Sequence, residues 1–131
     1  MSKILLVEDD PVEQRLYQNV FSQEGFEVVA IGSGKECHEK AVGCTPDIII
    51  LDMMMPEMNG LDTLDVLQFD PETKKIPVVA FSNLSDAEYQ TEALRRGAIK
   101  YIVKSQIENK ELVRTIRDII NAYQTKQAPV S

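Results

Sequence analysis

Residues 48–52 read Ile48-Ile49-Ile50-Leu51-Asp52, four apolar residues in a row ending on a carboxylate. A strand with one face in water alternates apolar and polar residues; an unbroken apolar run marks a strand buried on both faces, as in a parallel sheet covered by helices. The same design recurs elsewhere. Ile4 to Val7 runs into Glu8-Asp9-Asp10, Val78 to Phe81 into Ser82, and Tyr101 to Val103 into Lys104. Open α/β sheets hold ligands outside the carboxyl ends of their strands. These carboxylates, a hydroxyl and an ammonium are therefore expected around one crevice.

Working outward, the runs alternate with amphipathic stretches, the pattern of βα units. The first strand is read as Lys3 to Val7, and Pro11 opens a helix striped by Leu16, Tyr17, Val20 and Phe21 and ended by Gly25. A strand over Phe26 to Ile31 precedes a helix that starts after Ser33-Gly34 and carries Cys37, Ala41 and Val42. The third strand, Asp47 to Leu51, leads through a loop with Pro56 and Gly60 to a helix with Leu61, Leu64 and Leu67. Asp70-Pro71 reads as a turn, and Ile76-Pro77 opens the fourth strand, which runs to Phe81. Ser85-Asp86 caps the fourth helix, Gly97 ends it, and Ile99 to Val103 is the fifth strand. The last helix has a 3.6-residue stripe of Leu112, Ile116, Ile119, Ile120 and Tyr123, with Arg114, Arg117 and Asp118 opposite. The reading is an α/β, doubly wound, five-stranded parallel sheet with five helices. It forms one domain over 1–124 with a short polar tail over 125–131, and no attached output module is expected.

The 131 residues carry a net charge of −7, so non-specific binding to nucleic acid or an anionic membrane is disfavoured. Cys37 and Cys44 lack a companion ligand set and read as reduced thiols, and no apolar stretch approaches the roughly twenty residues of a membrane span. A cytoplasmic protein is expected. His38, the only histidine, reads as a surface residue, and Met53, Met54 and Met55 as loop and core packing.

An acidic triplet after a strand is ordinarily a solvated cap. With Asp52 ending a neighbouring strand, the carboxylates would repel and raise each other's pKa unless a cation intervened. Hard oxygen donors of this kind suit Mg²⁺, and no alternating calcium loop is present. Lys104 and Ser82 could both bind a phosphoryl group, and a carboxylate among them could accept it as an aspartyl phosphate.

In order and spacing these residues resemble the receiver domain of two-component response regulators: an acidic pair, the Asp52…Pro56…Gly60 run, a strand-four hydroxyl, an aromatic residue and then lysine. The resemblance implies a strand order of 2-1-3-4-5, for which the flavodoxin-like fold is the general type. It implies Asp52 as phosphoacceptor, with Lys104 and Ser82 as catalytic companions. It assigns a metal site of Asp10 directly, Asp9 through water, Asp52 and the Met54 carbonyl, with Glu8 left out. Ser82 and Tyr101 become the switch pair. The implied function is a signalling switch that takes a phosphoryl group onto Asp52 in a Mg²⁺-dependent reaction and is not an enzyme in the turnover sense. The implied donor is a sensor histidine kinase or histidine phosphotransfer protein, and the output is a protein target on the face of the fourth helix, fifth strand and fifth helix. Met54 and Leu84, two residues past Asp52 and Ser82, are apolar, which implies a long-lived phosphoryl group.

Two positions depart from the family pattern: Ser105 where proline usually follows the lysine, and Asn83 where a small residue usually follows the hydroxyl. A non-proline cis bond costs about 2.5–4 kcal/mol, so a trans bond into Ser105 is expected. Asn83 is expected to narrow access to the site or contact the phosphoryl group. These departures would support a pseudo-receiver that binds partners without phosphorylation. A flavodoxin-like electron carrier is disfavoured because Glu8-Asp9-Asp10 would repel a flavin phosphate. A phosphatase of the Asp-x-Asp type is disfavoured because Met54 stands at its second aspartate.

Overall fold

The structure is a computed structural model that describes residues 1–127, with side chains to Gln124. Five strands, β1 (Lys3–Val7), β2 (Glu27–Ile31), β3 (Ile48–Leu51), β4 (Val78–Ser82) and β5 (Lys100–Val103), form one parallel sheet in the order β2-β1-β3-β4-β5. The helices are α1 (Pro11–Gln23), α2 (Cys37–Cys44), α3 (Gly60–Phe69), α4 (Pro71–Lys74), α5 (Ala87–Arg95) and α6 (Asn109–Gln127). Five of these have eight residues or more, as expected. The sixth, α4, occupies the place read as a turn. Asp70 caps it by accepting from the Glu72 N–H, and Pro71 stands at its first position, so the Asp-Pro pair nucleates a helical turn. Of the residues read as a polar tail, 125–127 continue α6, and 128–131 lie outside the described residues.

Strand ends differ from the sequence reading by a residue or two: Phe26, Asp47, Pro77 and Ile99 lie just outside their strands, and Ser82 lies inside β4. The unbroken apolar runs are explained by two cores. Successive strand residues point to opposite faces. Leu5, Val7, Ile49, Leu51, Val78 and Ala80 meet residues of α2, α3 and α5. Their neighbours Ile4, Leu6, Ile48, Ile50, Val79 and Phe81 meet α1 and α6.

The last-helix stripe is core at Leu112, Ile116 and Ile120, but the α1 stripe is narrower than expected. Tyr17 and Phe21 are buried, while Leu16 is 47% exposed on the shoulder of the helix. Arg117 is not free on a solvent face. It donates to the Glu24 carbonyl at 3.0 Å and its guanidinium lies 5.2 Å from the centre of the Phe26 ring. Among the described residues no helix is long and apolar enough to cross a membrane.

Candidate functional site

Register brings the site together. Val7 of β1 pairs with Leu51 of β3, so Glu8 and Asp52 leave the sheet side by side, and the Asp52 N–H donates to the Val7 carbonyl at 3.0 Å. On the other side of Asp52 lie β4 and β5, where Ser82 pairs with Val103 and Lys104 follows one step on. The Lys104 ammonium reaches back across the strand ends. Its Nζ lies 2.6 Å from Glu8 Oε2, 3.2 Å from Glu13 Oε2 and 3.8 Å from Asp52 Oδ2. The lysine side chain is only 5% exposed, and the Phe81 ring centre lies 5.4 Å from Nζ, where its negative face favours a cation.

Burial pushes the Glu8 carboxyl up to about 7. The Lys104 hydrogen bond opposes that rise, and the nearby Asp52 charge adds to it. Burial would lower Lys104, but its hydrogen bond to Glu8 and the charges of Asp52, Glu8 and Glu13 outweigh it, so the lysine is raised and holds its proton. One ammonium therefore faces several carboxylates. Oxygen atoms of Glu8, Asp9 and Asp52 lie within 4.8 Å of one another, a hard-oxygen set that could hold a small divalent ion.

Asp10, expected as the direct ligand, stands outside that set, and Glu8, expected to be a bystander, belongs to it. Asp10 is the N-cap of α1: its Oδ1 accepts from the N–H groups of Val12 at 2.8 Å and Glu13 at 3.3 Å. The Glu8 Oε1 in turn accepts the Asp10 N–H at 3.0 Å. The carboxylates that cluster with Asp52 are thus Glu8 and Asp9. The sequence did carry the signal, because Asp directly before Pro is the usual start of a helix. Glu13 is a further residue missed from the sequence. It sits one turn into α1, and only the packing of that helix against the strand ends brings it to Lys104.

Met54 donates its backbone N–H to Asp52 Oδ1 at 3.2 Å, while its side chain stands exposed between the buried Met53 and Met55. Ser82 is buried at the end of β4 with its hydroxyl turned to its own loop, accepting the Leu84 N–H at 3.2 Å. The Tyr101 hydroxyl donates to the Leu84 carbonyl at 2.6 Å, and its ring packs against the core on the α2–α3–α5 side. Burial raises the Tyr101 phenol, with the Ser82 hydroxyl opposing. The peptide bond into Ser105 is trans, and Asn83 Oδ1 accepts the Ser105 N–H at 3.0 Å. His38 is half-exposed and pairs with Asp70, Nε2 to Oδ2 at 2.7 Å, between α2 and the junction of α3 and α4. Cys37 and Cys44 are unbridged, and burial pushes the Cys37 thiol up to about 12, so it is inert packing.

Comparison with known proteins agrees with this geometry. The sequence model of the response regulator receiver domain matches residues 4–117. The DNA-binding response regulator MtrA of Mycolicibacterium smegmatis is 34% identical over 115 residues, covering 88% of this chain and 49% of MtrA, so the chain spans about half of that relative. The polar-differentiation response regulator DivK of Brucella ovis is 26% identical over 89% of this chain and 94% of its own length. Among solved structures, the receiver domain of a signal transduction histidine kinase from Syntrophus aciditrophicus superposes with a TM-score of 0.86 at 26% identity, covering 100% of this chain and 97% of the other. With the sheet order, the strand-end carboxylates and the buried lysine already in place, the chain belongs to the response regulator receiver domain family of two-component signalling.

Proposed function

We propose that this receiver is a phosphorylation-dependent switch that accepts a phosphoryl group on Asp52 from a phosphohistidine of a sensor histidine kinase or histidine phosphotransfer protein in the cytoplasm. The observation that carries the reading is the placement of Asp52 3.8 Å from the Lys104 ammonium and within 4.8 Å of Glu8 and Asp9 oxygens. A carboxylate oxygen of Asp52 attacks phosphorus, the P–N bond of the donor breaks, and the imidazole leaves with its electron pair and takes a proton. An acyl phosphate on Asp52 results.

Lys104 turns from Glu8 and Glu13 toward a phosphoryl oxygen, exchanging one anion for another in the same dry pocket. Ser82 accepts the Leu84 N–H on its oxygen and turns its hydroxyl proton to a second phosphoryl oxygen. Glu8, Asp9, Asp52 and the Met54 carbonyl are the groups that would hold Mg²⁺. When bound, the ion neutralises charge on the phosphoryl oxygens.

The domain is consumed in this reaction rather than turning over, so it acts as a signal carrier and not as an enzyme. The new charge on Asp52 shifts the population of the Ser82–Tyr101 loop and with it the face of α5, β5 and α6 offered to a downstream protein.

The test is incubation with a small phosphodonor and Mg²⁺, followed by intact-protein mass spectrometry. One phosphoryl group is expected on the wild-type chain and none on Asp52→Asn or after chelation. Unmodified wild-type protein, or modification that survives Asp52→Asn, would refute the reading.

A further inference from the structure

The two residues that depart from the family pattern are bonded to each other. Ser82↔Val103 is the last main-chain pair between β4 and β5. One step beyond it, Asn83 Oδ1 accepts the Ser105 N–H at 3.0 Å, a side-chain rung that extends the ladder past its end. The rung needs both departures. A glycine or alanine at 83 offers no side-chain acceptor, and proline at 105 has no N–H. Ser105 lies in a single 3-10 turn over Lys104–Gln106, where an early N–H has no partner within the turn, and the Asn83 oxygen supplies one. Two more bonds hold the same loop, the Leu84 N–H to Ser82 Oγ and the Tyr101 hydroxyl to the Leu84 carbonyl. Residues 82–84 are therefore tied to themselves, to β5 and to the segment that follows Lys104.

We infer that Asn83 is a positioning residue: its oxygen straps the loop carrying Ser82 to the turn carrying Lys104 and fixes the spacing of the two groups that contact the incoming phosphoryl oxygens. The inference rests on the function proposed above and adds a specific part to it. The rate of phosphoryl capture scales with the fraction of molecules whose hydroxyl and ammonium are both in place. Without the rung, the two loops are free to separate past the Ser82↔Val103 pair and that fraction falls. The strap thus favours capture. An Asn83 that merely blocked the mouth of the site would have the opposite effect.

The experiment measures two things on the full chain. Amide hydrogen exchange at Ser105, followed by NMR, reads the strap directly. Initial phosphorylation rates with phosphoramidate and Mg²⁺ read its consequence. A net hydrogen bond is worth a factor of roughly two to ten in an equilibrium. Asn83→Ala is therefore expected to speed Ser105 exchange and slow phosphorylation by about fivefold, while Asn83→Asp, which keeps an acceptor oxygen, retains slow exchange. In a Ser105→Pro background, where the donor is already gone, Asn83→Ala should cause no further slowing. If that background does not fold, exchange and the single-variant rate decide the matter. Asn83→Ala protein phosphorylated as fast as wild type or faster overturns the strap, as does a penalty that persists undiminished beside Pro at 105. A wild-type chain that takes no phosphoryl group overturns the proposed function and the role given to Asn83 together, whereas normal wild-type phosphorylation with an unaffected variant overturns the strap alone.

Discussion

Replacing Glu8 by glutamine isolates the electrostatics of the buried Glu8–Lys104 pair. The Glu8 carboxyl stands at about 7 in the folded chain against an ordinary 4.5, chiefly because burial penalises its charge. A raised folded value means that the native state binds the proton more tightly than the unfolded state. Stability from this group is then fully present below pH 4.5 and is lost as the pH rises through about 7, above which both states are ionised. The loss amounts to ~3 kcal/mol, since each pH unit between the two values is worth about 1.4 kcal/mol. The other carboxyls with displaced values, Asp70 and Glu92, are lowered, so their stability is lost on acidification below their ordinary range, outside this window.

Urea unfolding followed by far-ultraviolet circular dichroism, in chelator, across pH 4.5 to 8 reads the effect. The wild-type chain should lose ~3 kcal/mol relative to Glu8→Gln over that range. Mg²⁺, which requires the ionised carboxylate, should stabilise the wild type more than the variant at pH 8. Superimposable pH profiles for the two proteins would show that Glu8 ionises normally in the folded state and would refute the reasoning.

Three other outcomes are expected. Asp10→Ala removes the α1 cap and should cost about 1 kcal/mol in urea unfolding, yet leave Mg²⁺ binding unchanged in a tyrosine-fluorescence titration, whereas Asp9→Ala should weaken binding. Equal losses in the two variants would restore Asp10 as a ligand. Gly60→Ala would set a Cβ 2.6 Å from Met53 Sδ and 2.7 Å from Met53 Cα. Because the backbone beside Asp52 must shift, a cost of ~1–3 kcal/mol and slower phosphorylation are expected, and a neutral variant would contradict the close packing. With apolar Met54 and Leu84 two residues past Asp52 and Ser82 and no polar side chain from either to orient water, the phosphorylated chain should decay slowly when followed by mass spectrometry; loss within seconds that substitution at neither position slows would argue against that role.

The sheet was legible from the sequence because a strand buried on both faces leaves a local trace, an unbroken apolar run such as Ile48 to Leu51. Helices with a strong start signal were equally legible, and so was the placement of Asp52, Ser82 and Lys104 at the ends of β3, β4 and β5, each the residue on which a run stops. Where two local signals competed, the sequence reading went astray. Asp10 reads as a ligand, yet Asp10-Pro11 is a helix start, and the carboxylate that clusters with Asp9 and Asp52 is Glu8. The Asp70-Pro71 pair hid a helical turn in the same way.

What only the tertiary structure decided are pairings between distant positions. Lys104 meets Glu8 and Glu13 across 96 and 91 residues, Ser105 meets Asn83 across 22, and His38 meets Asp70 across 32. A buried run reports that a strand is covered, because burial acts on each residue separately. Which carboxylate a lysine grips depends on sheet register and helix placement, quantities that belong to no single stretch of the chain, and the free energy of each such contact arises only once those elements have docked.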